Sequence, residues 1–395
     1  MASGPPAALK NAHRRCNALI IMGICARLLA STLKMVLASD LFVKSLTTSI
    51  RKGNSMHHYF LAEQDLSAFV EGLMAKCPVI APVANRSRFV FETLETVDDL
   101  RLDYDTTILP PKKAFFPTKQ DLITFDENGF KAALDPKEQI LLGAHPHDIK
   151  GIDMSDIFYQ DRKVDNNYMA YRNATTVIGS SVQNHYKHAF FGTMNADRPM
   201  TGHDMFMTKV DAGYVVETVT PKGDALVELG TFTDATDAQI AAAKEVNEAA
   251  ERNCPEKLNG TADEIRVKVR SSFDSPVWEE LAKDCFSCGS CNIVCCTCYC
   301  FDVQDEWTVD AKAGKRFRLW DACLTSEFAE VTSPTKSENF REDRGDRYRH
   351  RFMRKAAYLN DTLGGPACTG CGRCSGACTA NIANPATVIN KLLEQ

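Results

Sequence analysis

The apolar positions divide the chain into stretches of different period. The first, "HRRCNALIIMGICARLLASTLKMVLASDLFVKSL", is basic and apolar with helical spacing and reads as an extension over 1–55. A secretory leader fits it poorly, because Arg27 interrupts the apolar run and no small-x-small cleavage site follows in place. From Met56, "MHHYFLAEQDLSAFVEGLMAKCPVIAP" reads as an opening helix. "RFVFETLE" alternates with the period of a half-buried strand. "QILLGAHPHD" reads as a buried strand running into a turn, and "ATTVIGSS" as another β-branched strand. "DMFMTKVDAGYVVETVTPKGDALVEL" breaks at Asp211-Ala212-Gly213 and Pro221-Lys222-Gly223 into three strand-like pieces, a meander.

Helix signals then take over. Thr236 with Gln239, and Thr261 with Glu264, have the spacing of capping boxes. Ser275-Pro276 fits an N-cap followed by proline at the first helical position, opening "PVWEELAKD". The expected fold class is α+β, with a mixed α/β domain over 56–275 followed by a helical domain over 276–395.

Composition narrows the function classes. Hydrophobic residues make up 44% and charged residues 25% of 395, a globular balance. The net charge of -5 argues against a uniformly basic nucleic-acid binder. No run of about twenty apolar residues is present, so no membrane span is expected. Cysteine is what changes the picture. Of 16 cysteines, 12 lie between Cys285 and Cys378, in two dense runs late in a long chain. A secreted disulfide scaffold is short and spreads its cysteines. This distribution favours metal ligation in a reducing compartment, hence the cytoplasm.

The spacing is specific. Cys285-x2-Cys288-x2-Cys291-x3-Cys295 and Cys368-x2-Cys371-x2-Cys374-x3-Cys378 are two copies of the bacterial-type [4Fe–4S] run. Three cysteines at three-residue intervals wrap one cubane, and the fourth, expected to start the following helix, reaches the other cluster. One cluster would take Cys285, Cys288, Cys291 and Cys378; the other Cys368, Cys371, Cys374 and Cys295. Structural zinc is the competing reading, but zinc ligands come as separated pairs. The proline that usually follows the fourth cysteine is here Cys296 and Thr379. Cys296, Cys298, Cys300 and Cys323 are left over. They are candidates for a further cluster or a redox-active pair, or else small buried residues around the first cluster. From Lys336 to Lys355, eight Lys/Arg stand against four Asp/Glu. These charges can steady anionic clusters, dock an acidic partner, or simply face solvent.

"CFSCGSCNIVCCTCYCFDVQDE", "RLWDAC", "RYRHRF" and "CTGCGRCSGAC", with "DTTILPPKKAFFP", "ILLGAHPHDIKGID" and "GYVVETVTPKG" upstream in the same order, make the chain from about Met56 onward resemble one family. It comprises the iron–sulfur β subunits of archaeal sulfhydrogenases and the matching iron–sulfur subunit of anaerobic sulfite reductase. The resemblance implies a ferredoxin-like helical domain with two [4Fe–4S] clusters and a long insert between the runs. It also implies an electron-transfer subunit in anaerobic metabolism, working in a hetero-oligomer between a flavin- and NAD(P)-binding subunit and a catalytic one. Hydrogenase, sulfite reductase and heterodisulfide-type partners all suit, with a soluble ferredoxin as a further candidate. Relatives often carry cysteines where this chain has His147, His188, Ala189 and Phe191, so their additional N-terminal cluster is expected to be absent. His145, His147, His185 and His188 could bind something else there, or be ordinary loop histidines.

No nucleotide-binding glycine motif, zinc-protease motif or nucleophile elbow occurs, so no catalytic residue is assigned. A redox-sensing or zinc-stapled interaction module is the alternative function. A third possibility is an active site of the α/β domain at "LLGAHPHD", beyond a strand end.

Overall fold

A computed structural model describes residues 57–195 and 197–395, so the extension expected over 1–55 lies outside the described residues. The chain begins with β1 (His57–Ala62), α1 (Leu66–Lys76), β2 (Val79–Asn85) and β3 (Arg88–Thr93). Next come β4 (Lys119–Asp126), β5 (Gly129–Ala132), β6 (Gln139–Ala144), α2 (Pro146–Gln160) and α3 (Asn166–Ala174). β7 (Thr175–Ser180), β8 (Met205–Val210), β9 (Gly213–Thr218), α4 (Pro221–Val227) and β10 (Thr233–Asp234) follow. The helical stretch is α5 (Asp237–Arg252), α6 (Ala262–Ser271), α7 (Val277–Ala282) and α8 (Ser290–Ile293). The chain ends with β11 (Phe301–Trp307), β12 (Gly314–Trp320), β13 (Glu330–Thr332), β14 (Ser337–Asn339), α9 (Arg344–Ala356), α10 (Asn360–Leu363), α11 (Arg373–Gly376) and α12 (Pro385–Leu393).

The large sheet has the order β10-β1-β9-β8-β7-β6-β2-β3. Its centre, β8-β7-β6-β2, is parallel, and both flanks are antiparallel. β7 is buried along its whole length, and β6 at every residue but its first. Their unbroken apolar reading is that of parallel strands covered on both faces. One face packs Phe69, Leu73, Met205 and Val216, the other Phe115, Ile149, Tyr168 and Phe206.

Three expectations need correction. The opening segment is a strand before it is a helix. His57–Ala62 pairs with β9 and β10, and the helix starts only at Leu66. The third piece of the meander is the helix α4. Thr220 Oγ1 accepts from the Gly223 amide at 3.4 Å with Pro221 behind it, an N-cap and N1 pair that overrides the apolar alternation. The turn after "QILLGA" is the start of a helix, with Pro146 in its first turn and His145 as its cap residue. Both capping boxes are formed, at Thr236/Gln239 and Thr261/Glu264.

The insert between the cysteine runs is not purely helical. β11 and β12 form a hairpin, and β12 pairs with β4, giving a second sheet β11-β12-β4-β5. Residues 301–320 therefore complete a sheet begun at Lys119, and Arg318 reaches Asp165 at 2.6 Å across it. Residues His57–Gln395 form one compact unit that spans the boundary expected at 275/276. The cysteine runs lie beside a third apolar core of Trp278, Tyr348, Phe352 and Ile389.

Candidate metal centres

The first run leaves α7 as a loop that turns at Gly289, whose φ is 72°. A Cβ there would stand 2.3 Å from the Cβ of Ala322, so glycine is required. α8 carries Cys291, and Cys295 follows its end; the second run repeats this with Gly372, α11 and Cys378. The short helix thus lies between the third and fourth cysteines rather than after the fourth, as the sequence suggested. Cys285 and Cys291 are buried, Cys288 is exposed and Cys378 is half-buried. All four line one small cavity, closed by Leu324, Tyr348, Ile382 and Ala383. The Tyr348 hydroxyl, from α9, donates to the carbonyl of Ile382 and so ties the cavity wall to the segment after Cys378.

The second run is held by the α/β part of the chain. The Phe190 amide donates to the Gly370 carbonyl at 2.8 Å, and Asn195 Nδ2 donates to the carbonyls of Pro366 and Cys368 at 2.7 and 2.6 Å. Gly372 has φ 75°, and a Cβ on it would meet the His188 carbonyl oxygen at 2.4 Å. Arg373, wholly buried, clamps Asp148 with two bonds of 2.5 and 2.6 Å and also binds Thr107. Cys295 comes to this side. Its charge is felt by Cys368, Cys371 and Cys374, while Cys291 is influenced by Cys374 as well as by Cys378 and Cys285.

Electrostatics shows what the pockets can hold. Burial pushes the Cys291 and Cys368 thiols up to about 12 and Cys374 to about 11, so bare thiolates are disfavoured there. Hydrogen bonding from Cys296 brings Cys371 down to about 7, and from Cys296 and Cys298 it holds Cys295 well below the usual thiol range. Between the runs sits Arg351, 1% exposed, and none of its guanidinium nitrogens meets an acceptor. Burial opposes its charge, and the facing Cys291, Cys374, Cys298 and Cys295 more than offset that. Lys355, equally buried, donates to Thr297 Oγ1 at 2.6 Å, and Thr297 donates onward to the Ala367 carbonyl at 2.8 Å. A cation buried without a partner is costly unless an anion fills the space beside it. Among the described residues no three ligating side chains converge as on a single ion. Four thiols lining one space, four more in the second run's surroundings at the same spacing, and a buried cation between the runs fit anionic iron–sulfur cubanes better than zinc.

The remaining cysteines separate. Cys296 is buried against Thr369 and Gly151, with Sγ 3.2 Å from Thr369 Oγ1. Cys298, Cys300 and Cys323 line a different cavity. His145 and His147 lie with ring centroids 5.3 Å apart, and His147 and His185 both stack on Phe191. His185 Nε2 pairs with the Ala250 carbonyl at 2.7 Å and His188 Nδ1 with Glu256 at 2.8 Å. His145 stacks on Tyr104 at 3.9 Å, and neither it nor His147 finds a hydrogen-bond partner for a ring nitrogen. Burial lowers both well below the ordinary histidine range, so they are neutral packing groups beside the Asp148–Arg373 pair. Arg351, Lys355 and that ion pair were not singled out from sequence. The available signal was the i, i+4, i+8 spacing of Arg347, Arg351 and Lys355 around Tyr348 and Phe352.

These features define an iron–sulfur protein of the dicluster class, an electron-transfer subunit. The family profile of the 4Fe-4S dicluster domain matches residues 284–382, and the chain carries two [4Fe–4S] clusters. The β subunit of sulfhydrogenase 2 from Pyrococcus furiosus is 33% identical over 308 residues, covering 77% of this chain and 89% of that protein. No solved structure matches. The chain belongs to the sulfhydrogenase β-subunit family.

Proposed function

We propose that this chain is the relay subunit of a hetero-oligomeric oxidoreductase. It would pass electrons singly between a flavin- and NAD(P)-binding subunit and a catalytic one of hydrogenase, sulfite reductase or heterodisulfide type. The observation that carries this reading is that Cys378, from the second run, lines the same cavity as Cys285, Cys288 and Cys291. The clusters supply reversible one-electron chemistry when bound. The chain's own residues do the rest. Cys285, Cys288, Cys291 and Cys378 would hold one cluster, and Cys368, Cys371, Cys374 and Cys295 the other, with the exchange fixing the two side by side. Arg351 places positive charge beside both thiol sets and Lys355 beside the second, and both favour added negative charge. Exposed Cys288 and Phe286, 71% exposed, put the first cage at the protein surface, where a partner can approach. The second cage would be the less exposed one, since Cys371, Cys374 and Cys295 are buried and Cys368 half-buried. Among the described residues no helix is long and apolar enough to cross a membrane, and unpaired thiols suit a reducing compartment such as the cytoplasm.

The test is anaerobic reconstitution of the full chain followed by reduction. About eight irons with matching sulfide and two interacting paramagnetic signals on reduction support the relay. Zinc without sulfide would replace it with an interaction module. Identification of co-purifying subunits then discriminates among the catalytic partners.

A further inference from the structure

A second cavity, separate from the four-thiol one, is lined by Cys298, Cys300 and Cys323 together with Asn292, Tyr299, Arg351, Arg354 and Lys355. In free internal volume, about 20 Å³, it equals the pocket ringed by Cys285, Cys288, Cys291 and Cys378. The geometry points to a third iron–sulfur site here, held by Cys298, Cys300 and Cys323, with the fourth corner of the cluster bearing no protein thiol.

The fold explains how the ligands meet. Cys300 immediately precedes β11, and the hairpin returns through β12 to place Cys323 beside it. The Asp321 amide donates to the Cys300 carbonyl at 3.0 Å and closes the hairpin base. Without the β11–β12 insert, Cys323 would have no reason to lie near Cys298 and Cys300. Asn292 Nδ2 faces two of the three sulfurs, at 3.2 Å from Cys323 and 3.5 Å from Cys298, the arrangement by which an amide supports ligand thiolates. The lining also holds polar groups that nothing in the chain satisfies: the Tyr299 hydroxyl and all three nitrogens of Arg351. Arg354 and Lys355 add positive charge, and Lys112 Nζ, donating to the Cys298 carbonyl at 2.5 Å, adds more from outside.

A dithiol–disulfide pair would use Cys300 and Cys323 but would leave the space beside them and the unsatisfied Tyr299 hydroxyl without a role. A lone zinc ion is disfavoured because no three such side chains among the described residues converge on one point. A soft anionic group larger than an ion accounts for all of these features. Binding forms three sulfur–iron bonds and releases the three thiol protons. The iron at the open corner takes water or a small exogenous ligand in place of a thiolate.

The test uses the full chain, reconstituted anaerobically with iron and sulfide. The expected result is about twelve irons per chain, falling to about eight in Cys300→Ala/Cys323→Ala while the signals of the other two clusters persist. About eight irons in both proteins overturns the third site and leaves the two-cluster relay standing; near zero in the parent removes both. A second measurement does not depend on the variant folding. Cys298, Cys300 and Cys323 in the parent should be protected from alkylation when iron is loaded and labelled after chelation. Equal labelling in loaded and stripped protein overturns the proposal.

Discussion

Arg351→Met is the most informative single change, because its effects in loaded and metal-free protein have opposite signs. The side chain is 1% exposed, carries a full charge and faces Cys291 and Cys374, one from each cysteine run. Methionine keeps the unbranched apolar stem and its packing on Phe352 but removes the guanidinium, which lies 4.8 Å from that ring. An electron added about 6 Å from the lost charge interacts with it by about 3 kcal/mol at an effective dielectric of about 20. For a one-electron couple that is on the order of 120 mV. Both clusters should therefore become harder to reduce, by about 60–120 mV after allowance for solvent relaxation. In the metal-free chain the same change removes a buried guanidinium that no hydrogen-bond acceptor satisfies and should raise the thermal midpoint. Redox titration followed by EPR measures the first effect, and scanning calorimetry of stripped protein the second. A shift below about 20 mV at both clusters, or a shift to higher potential, would refute the assigned role, since the Coulomb estimate leaves no room for either.

Two further outcomes follow from the way the second run is held. Gly372→Ala places a side chain in a left-handed conformation, costing about 1–2 kcal/mol, and drives its Cβ to 2.4 Å from the His188 carbonyl oxygen. Iron content should fall by about one cluster, with the cluster of the first run retained. Full iron content in this variant would show that the loop does not need this close approach. Asp148→Asn leaves the fully buried Arg373 charge without its carboxylate and should cost about 3–5 kcal/mol in denaturant unfolding. The paired Asp148→Leu/Arg373→Met change should recover much of that loss; an additive double mutant would contradict the coupling.

The chemistry of the site was more legible than its surroundings. Eight cysteines at repeated intervals identify cubane ligation because the spacing itself is the geometric requirement. The basic run over 336–355 was visible as charge, but its inward face was not. Arg347, Arg351 and Lys355 recur every fourth residue and point inward, while Arg344 remains exposed. That assignment depends on which side α9 packs, a tertiary fact. The Asp148–Arg373 clamp joins positions 225 residues apart, and no local period announces it. The β12–β4 pairing is equally non-local, and it turns what read as a helical insert into part of a sheet continuous with the first half of the chain. Local signals failed at α4, where Thr220-Pro221 opposed an alternating pattern. They succeeded at the capping boxes, where the competing preferences agreed.

Paired ligand variants, scored by iron content and reduced-state EPR, test the exchanged fourth cysteines most directly. Cys288→Ala/Cys378→Ala removes two thiols from one cage and should lower the iron content by about four while the signal of the second-run cluster persists without coupling to the first. Cys374→Ala/Cys378→Ala removes one thiol from each cage and should damage both clusters. Survival of one intact, uncoupled cluster in the second protein, with both damaged in the first, would mean that each run keeps its own fourth cysteine, and the crossed arrangement would be wrong.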